Sequence, residues 1–300
     1  MSLALLWIPA TLAAAALQTA RNLTQRSLTE IIGVVGATQV RFLYGLPFAL
    51  VFLAIVCLAS GRLPPVPDGR QLGITLFGAI AQILATALML AAMRERSFAV
   101  TTAYTKTEPV QVALFGAFLL GDTLGWPKLA AIVVATAGVV LVSWKKGEKL
   151  TAAGLRPAAL GIAAGAAFAL SAIGYRGAIQ ALPEGNFMLR ATTTLALGLF
   201  LQTLILTVYM LAANRRALVL SLQNWRPSLT AGFLGAAASQ FWFIGFSLTT
   251  AANVRTLALV EVPLAQLASR RIFAEGTTRR ELAGMALIVI GVGVLLILSV

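Results

Sequence analysis

Runs of about 20 mainly apolar residues recur along this chain, and each is long enough to cross the hydrocarbon core of a bilayer as a helix. Ten such runs stand near 3–20, 33–59, 70–92, 97–120, 127–144, 156–178, 187–212, 227–249, 251–272 and 282–299. The breaks carry turn formers and charges: Gly61-Arg62-Leu63-Pro64-Pro65, Trp126-Pro127-Lys128, Lys145-Lys146-Gly147-Glu148-Lys149, Pro183-Glu184-Gly185-Asn186 and Trp225-Arg226-Pro227. The thinnest break separates spans eight and nine, where Thr249-Thr250 is almost the sole marker. Composition points the same way. Hydrophobic residues make up 59% of the 300 and charged residues 11%, against about 25% charged in soluble proteins. The expected fold is therefore all-α, a polytopic membrane protein with ten transmembrane helices.

Every connection is short, so no soluble domain is expected, and there is no phosphate-binding G-x-x-x-x-G-K-[ST] loop to make the chain an ATPase. Residues 3–20 are expected to be a retained first helix, because no basic segment precedes them as it would a secretory signal. Cys57 is the only cysteine, which excludes an intrachain disulfide, and histidine is absent.

The net charge of +13 would suggest nucleic acid in a soluble protein, but its distribution gives it another meaning and no nucleic-acid role is expected. With ten spans both termini lie on one side. Fifteen of the 23 basic residues, from Arg21 and Arg26 to Arg279 and Arg280, fall in the connections of the other side. The termini side has five: Arg62, Arg70, Lys128, Arg176 and Arg190. The positive-inside rule then puts both termini outside the cytoplasm, in a cell (inner) membrane.

Shifting the chain by 153 residues aligns Glu108 with Glu261, Asp122 with Glu275, Leu129 with Leu282 and Gly138 with Gly291. With small offsets Arg21 and Gln25 match Arg176 and Gln180, and Arg41 matches Arg190. The scarce polar matches keep their order, which divides the chain into repeats at 1–150 and 151–300. Five helices is an odd number, so the second copy enters from the opposite face: two inverted five-helix repeats, as in many secondary transporters.

Thr107-Glu108-Pro109, Leu120-Gly121-Asp122 and Ala137-Gly138-Val139-Val140-Leu141 resemble the EamA-type pattern of the drug/metabolite transporter superfamily. Glu261-Val262-Pro263, Ala274-Glu275-Gly276 and Gly291-Val292-Gly293 resemble its second copy. Asp122 stands where the pattern usually has Glu, and Val262 separates the second Glu from its Pro. The resemblance implies a ten-helix carrier for small metabolites, amino acids or drugs, and leaves direction open. Its relatives usually keep their termini inside, whereas the charge bias here points outward.

Five ionisable residues fall inside spans: Arg41, Lys106, Glu108, Arg255 and Glu261. Each costs about 2.5–3.5 kcal/mol at the bilayer centre unless partnered or hydrated. Lys106 and Glu108, two apart, point to nearly opposite helix faces. Pairs across the halves, Lys106 with Glu261 and Arg255 with Glu108, are geometrically better, and they either lock helices or part when substrate arrives. Three bases against two acids leave positive charge over, which favours an anion or a zwitterion's carboxylate. A cation exporter would instead want an unpaired acid in its pocket, and the first span contains none. The candidate substrate-binding residues are Arg41, Tyr104, Lys106, Gln240, Asn253 and Arg255, with Lys106 and Arg255 on the negative group. Glu108 and Glu261 are the candidates for ion pairing or proton coupling.

Gln18, Asn22, Gln25, Gln39 and Gln111 are read as orienting groups or interhelical hydrogen bonds. Arg21, Arg176 and Arg190 are expected near helix ends, reaching headgroups. Phe241-Trp242-Phe243 reads as lipid or core packing. Pro109 and Pro263 are expected to bend spans four and nine at matching places.

The function read from these residues is a secondary active transporter for a small polar metabolite, anionic or zwitterionic, of the amino acid or organic acid class. It needs no cofactor or metal. Its partners are the bilayer, the substrate and a proton if coupling uses a carboxyl, and it works as a monomer or homodimer. The alternative is a multidrug or cation exporter of the same superfamily. A channel stands further off, and so does a membrane enzyme, since rhomboid-type and metal-dependent chemistry both need histidine.

Overall fold

The computed structural model describes residues 5–95, 101, 104–143, 152–260, 262 and 278–298, and the regular structure among them is entirely helical. In chain order the helices are α1 (Trp7–Leu43), α2 (Leu46–Ser60), α3 (Gly69–Glu95), α4 (Glu108–Leu120), α5 (Trp126–Ser143), α6 (Ala152–Ala181), α7 (Phe187–Ala213), α8 (Arg215–Gln223), α9 (Trp225–Leu248), α10 (Ala251–Leu257) and α11 (Arg279–Ile297). A 3₁₀ turn, Ala258–Val260, continues α10. Among the described residues six segments are long and apolar enough to cross a membrane: Trp7–Ser60, Gly69–Glu95, Arg156–Ala181, Phe187–Ala213, Trp225–Leu248 and Arg279–Ile297. The chain is an all-α, polytopic membrane protein. Glu261, Pro263, Glu275 and Lys145 to Lys149 lie outside the described residues.

The first connection differs from expectation. Helix continues from Trp7 through Arg21 and Arg26 to Gly33, where φ is 73° and ψ 175°, a conformation open essentially to glycine alone. Gln25 Nε2 donates to the Ala37 carbonyl at 2.7 Å. A straight helix would separate those residues by about 18 Å, so the axis folds back at Gly33 into limbs 7–32 and 34–43. Arg21, Asn22 and Gln25 look like a loop in the sequence because they are polar. They lie instead on the buried stripe of the first limb, while Leu23 and Ile31 on its outer face are 52% and 54% exposed. The longer limb also takes in one acid, the exposed Glu30.

Span four differs too. Pro109 sits in the first turn of α4, just after a turn at Lys106 and Thr107 that follows the helical residues Tyr104 and Thr105. Proline is favoured there because its missing N–H would have no intrahelical acceptor in any case. Gly121, with φ 69°, closes the other end of α4. The Thr249-Thr250 break is real: Thr250 Oγ1 accepts from the Asn253 amide at 3.3 Å and caps α10. Helix α8, between α7 and α9, was not anticipated.

The helices pack as pairs: α1 along α9, α3 along α6, α5 along α11, α2 on α7, and α4 beside both α6 and α10. Small residues set the closest approaches. A Cβ added to Gly138 of α5 would lie 2.6 Å from the Gly284 carbonyl oxygen of α11, and one on Gly291 would lie 2.6 Å from that of Ala131. Outward positions such as Leu58, Phe118 and Ile297 stay apolar and exposed, as a lipid-facing surface requires.

A substitution pair isolates the reversal. Neither Gly33 nor Gly73 has an atom within 4 Å of an added Cβ, and only Gly33 has positive φ. Gly33→Ala is expected to cost about 1–3 kcal/mol through backbone strain, whereas Gly73→Ala, inside α3, gains about 0.5–1 kcal/mol. Thermal melts of the detergent-solubilised variants should move in opposite directions; shifts of the same sign would refute the reversal.

Candidate functional site

Arg41 comes from the second limb of α1 and reaches between α3 and α9. It is 1% exposed. Nη1 donates to Thr86 Oγ1 at 2.9 Å and Nη2 to Ser239 Oγ at 3.5 Å. The guanidinium carbon lies 5.1 Å from the Phe42 ring centroid, and Nε has no acceptor. Among the described residues no carboxylate forms an ion pair with it. Arg21, fully buried, runs beside it: a Cβ on Gly235 would meet Arg41 Cγ at 3.0 Å and Arg21 Cδ at 3.4 Å. Arg21 is therefore not at a helix end. Its Nη2 and Nε donate to Asn22 Oδ1 at 2.6 and 3.2 Å.

Arg255 on α10 is held differently. Its Nε lies 3.0 Å from Glu108 Oε1. The two side chains form a buried ion pair. The guanidinium carbon is 4.2 Å from the Trp242 ring centroid and 5.4 Å from that of Phe246, cation–π distances worth about 2 kcal/mol when desolvated. Trp242 is fixed in turn by its indole N–H, which donates to Gln18 Oε1 at 3.0 Å. Glu108 is available to Arg255 because α4 begins at it. Of the two cross-half pairs expected, this one is present; the other involves Glu261, outside the described residues.

Near Arg41 lies a neutral polar group that sequence reasoning missed. Tyr175 of α6 is buried beside Gln202 of α7 and within electrostatic reach of Arg41, which is itself within reach of Arg255. Gln202 Nε2 donates to Gln82 Oε1 at 2.8 Å and to the Ala79 carbonyl at 3.2 Å. The Tyr175 ring lies 4.6 Å from Phe243 and Phe243 lies 6.2 Å from Phe246, so aromatic rings connect the surroundings of both cations. Gln82 and Gln202 carried a signal, each being an isolated amide inside an apolar run. Trp242 and Phe243 are core, as expected, and Trp242 in addition stacks a cation.

The other expected residues sit elsewhere. Tyr104 packs on Gly161 of α6, where an added Cβ would lie 2.6 Å from its own. Lys106 is buried in the turn before α4. The Gln240 amide donates to Thr192 Oγ1 at 2.8 Å and faces Met188 Sδ at 3.8 Å, joining α9 to α7. Asn253 donates to Thr249 Oγ1 at 2.9 Å, a local contact at the start of α10. Arg176 does not reach for headgroups. Its Nη1 pairs with Asp122 Oδ1 at 2.8 Å and its Nε donates to the Thr249 carbonyl at 3.1 Å, which clamps the α4–α5 turn, α6 and the end of α9 together. Among the described residues no cluster of three His, Cys, Asp or Glu exists that would hold a metal.

No curated protein matches the sequence significantly. A crystal structure of another protein aligns with 99% of this chain and 99% of its own, with a TM-score of 0.70 and 16% identity; a likeness at that identity shows a shared fold. Residues 5–144 match the sequence model of the EamA-like transporter family. That segment carries Arg41, the Thr107-Glu108-Pro109 motif and the Gly121-Asp122 turn. The likeness to the EamA-like transporter family thus covers just under half of the chain.

Proposed function

We propose that the chain is a secondary active transporter that moves a small anionic or zwitterionic metabolite, of the amino acid or organic acid class, by alternating access between inverted five-helix repeats at 1–150 and 151–300. The observation that carries the substrate class is Arg41. A buried guanidinium whose donors, among the described residues, meet only hydroxyls is an expensive group, and a carboxylate is the partner its planar fork fits best. Arg255, already stacked and paired, adds a second cation when Glu108 releases it. A cation exporter is less well supported: Glu108 is engaged by Arg255, and Glu30, the acid on the first limb, is exposed.

The packing supports the repeats. Exchanging the halves turns the α1–α9 contact into the α6–α3 contact and returns α2–α7, α4–α10 and α5–α11 to themselves. The relation extends to atoms. Gly138 faces the Gly284 carbonyl and the Ile288 amide, and Gly291 faces the Ala131 carbonyl and the Ala135 amide. Each residue of the second set is the first set's counterpart at the 153-residue shift. A two-fold axis in the membrane plane would produce this pattern, and it is the axis about which such carriers alternate.

Arg41→Gln is expected to weaken binding of an anionic or zwitterionic ligand by roughly 10- to 100-fold, the equivalent of about 1.5–3 kcal/mol for a hydrogen bond to a charged group. The melting temperature should stay level or rise, because a buried charge has been removed. The ligand is first found by thermal-shift screening against amino acids, organic anions and cations. Unchanged affinity in the variant, or a screen in which only cations bind, would overturn the assignment.

Coupling turns on the Arg255–Glu108 pair. A carboxyl paired throughout the cycle keeps its charge; one parted from its partner in a dry cavity takes up a proton. Accumulation driven by a pH gradient in proteoliposomes is expected to fail in Glu108→Gln, and Glu261→Gln tests the other half. Accumulation that survives both substitutions would leave facilitated exchange in place of proton coupling.

We place both termini outside. With Arg21 and Arg176 both buried inside the protein, fourteen basic residues still face four, a bias that keeps its sign. A cytoplasm-only fluorescent reporter fused after Val300 should stay dark, and a periplasmic reporter there should work; the reverse result inverts the orientation.

A further inference from the structure

Helix α8 is nine residues long, about 14 Å at 1.5 Å per residue, less than half of the ~30 Å hydrocarbon core. It joins the end of α7 to the start of α9, so it lies where two spans leave the membrane. Asparagines close both ends: Asn214 Oδ1 accepts from the Ala217 amide at 3.2 Å, and Asn224 Nδ2 donates to the Leu220 carbonyl at 2.9 Å. Such capping sets the helix as a separate rigid piece.

Its two faces differ. Ala217 and Ser221, one turn apart, are buried. Arg215, Val219 and Leu222 form the opposite stripe and are exposed, with Arg216 at its edge. Val219 and Leu222 are about half exposed, and Trp225, just beyond the helix, equally so. The Arg226 guanidinium carbon lies 5.4 Å from the Trp225 ring centroid. Apolar side chains turned away from the protein and flanked by cations suit the boundary between headgroups and acyl chains. The charge has one sign: no Asp or Glu occurs between Gly185 and Val260.

The buried face of α8 leads inward. Tyr44 Oη donates to the Ser221 carbonyl at 3.1 Å, and Ser221 Oγ shares its one proton between the Leu218 carbonyl at 2.7 Å and Gln39 Oε1 at 3.3 Å. Gln39 Nε2 continues to Thr207 Oγ1 of α7 at 3.2 Å. Gln39 and Tyr44 bracket Arg41 on the second limb of α1.

We propose that α8, with Trp225 and Arg226, is a docking surface for anionic phospholipid, and that a bound headgroup, acting through Ser221 and Tyr44, steadies the limb that carries Arg41. Arg215, Arg216 and Arg226 hold the phosphate while Val219, Leu222 and Trp225 lie against the acyl region. Juxtamembrane cations near a negative lipid surface each contribute about 1 kcal/mol, an attraction that salt screens.

The test uses the full chain in neutral detergent, titrated with phosphatidylglycerol or phosphatidylcholine, and needs no transport substrate. It can therefore succeed or fail independently of the transport reading. Phosphatidylglycerol is expected to raise the melting temperature and slow amide exchange over residues 34–43; phosphatidylcholine does neither. In the variant Arg215→Gln/Arg216→Gln/Arg226→Gln, whose positions are exposed, the basal melting temperature stays and the lipid response is lost. In Tyr44→Phe/Ser221→Ala the exchange response is lost and the thermal response remains. Equal responses to both lipids, or an undiminished response in the triple variant, would overturn the surface. Exchange over 34–43 that ignores bound phosphatidylglycerol would overturn the connection to Arg41.

Discussion

A guanidinium inside a bilayer cannot readily shed its charge and is costly to leave without partners, and this constraint organises the protein. Arg21, Arg41 and Arg255 are all nearly or fully buried. Around them gather side chains unusual in such an apolar chain: the hydroxyls of Thr86 and Ser239, the amide of Asn22, the rings of Trp242 and Phe246 and the carboxylate of Glu108. The outer surface carries the opposite composition. The helices form a wall whose inner side is dictated by buried cations.

Two of these cations illustrate different ways of living with a buried charge. Arg255 has both a counter-charge and aromatic faces, so its environment is neutralised in the state described. Arg41 has neutral acceptors only among the described residues, so its environment remains positive. A carrier benefits from such inequality. A site fully neutralised by its own protein would compete with the substrate, whereas one held open by hydroxyls gains most when an anion arrives. The Tyr175, Gln202 and Gln82 group near Arg41 supplies dipoles without adding charge of either sign.

Much of the fold and part of the site were legible in the sequence, and the boundary between legible and hidden follows physical lines. Spans read well where lipid demanded unbroken apolar character, as in α3, α7 and α11. The Arg255–Glu108 contact was open to reasoning because ionisable residues within spans are few and their helical faces are known. The first limb of α1 was misjudged because Arg21, Asn22 and Gln25 are polar; only packing reveals that they share one buried stripe. The start of α4 at Glu108 was hidden for a related reason, since Pro109 is compatible with both a bend and a first turn. Tyr175 gave no sign, being an amphipathic residue that suits many places, and α8 was too short to raise a periodic signal above its neighbours.

The reversal at Gly33 has a consequence for how this protein can be lengthened or labelled. Ordinary connections between spans leave slack in water, where an epitope tag, a protease site or a fused domain adds chain without disturbing either helix. Here a single residue turns one limb into the next, and Gln25 bonds to Ala37 across the bend. There is no slack to extend. An insertion at this point would pry apart two limbs that carry Arg21 and Arg41, so the corner between the first two spans is the wrong place to attach anything, whichever side of the membrane it faces.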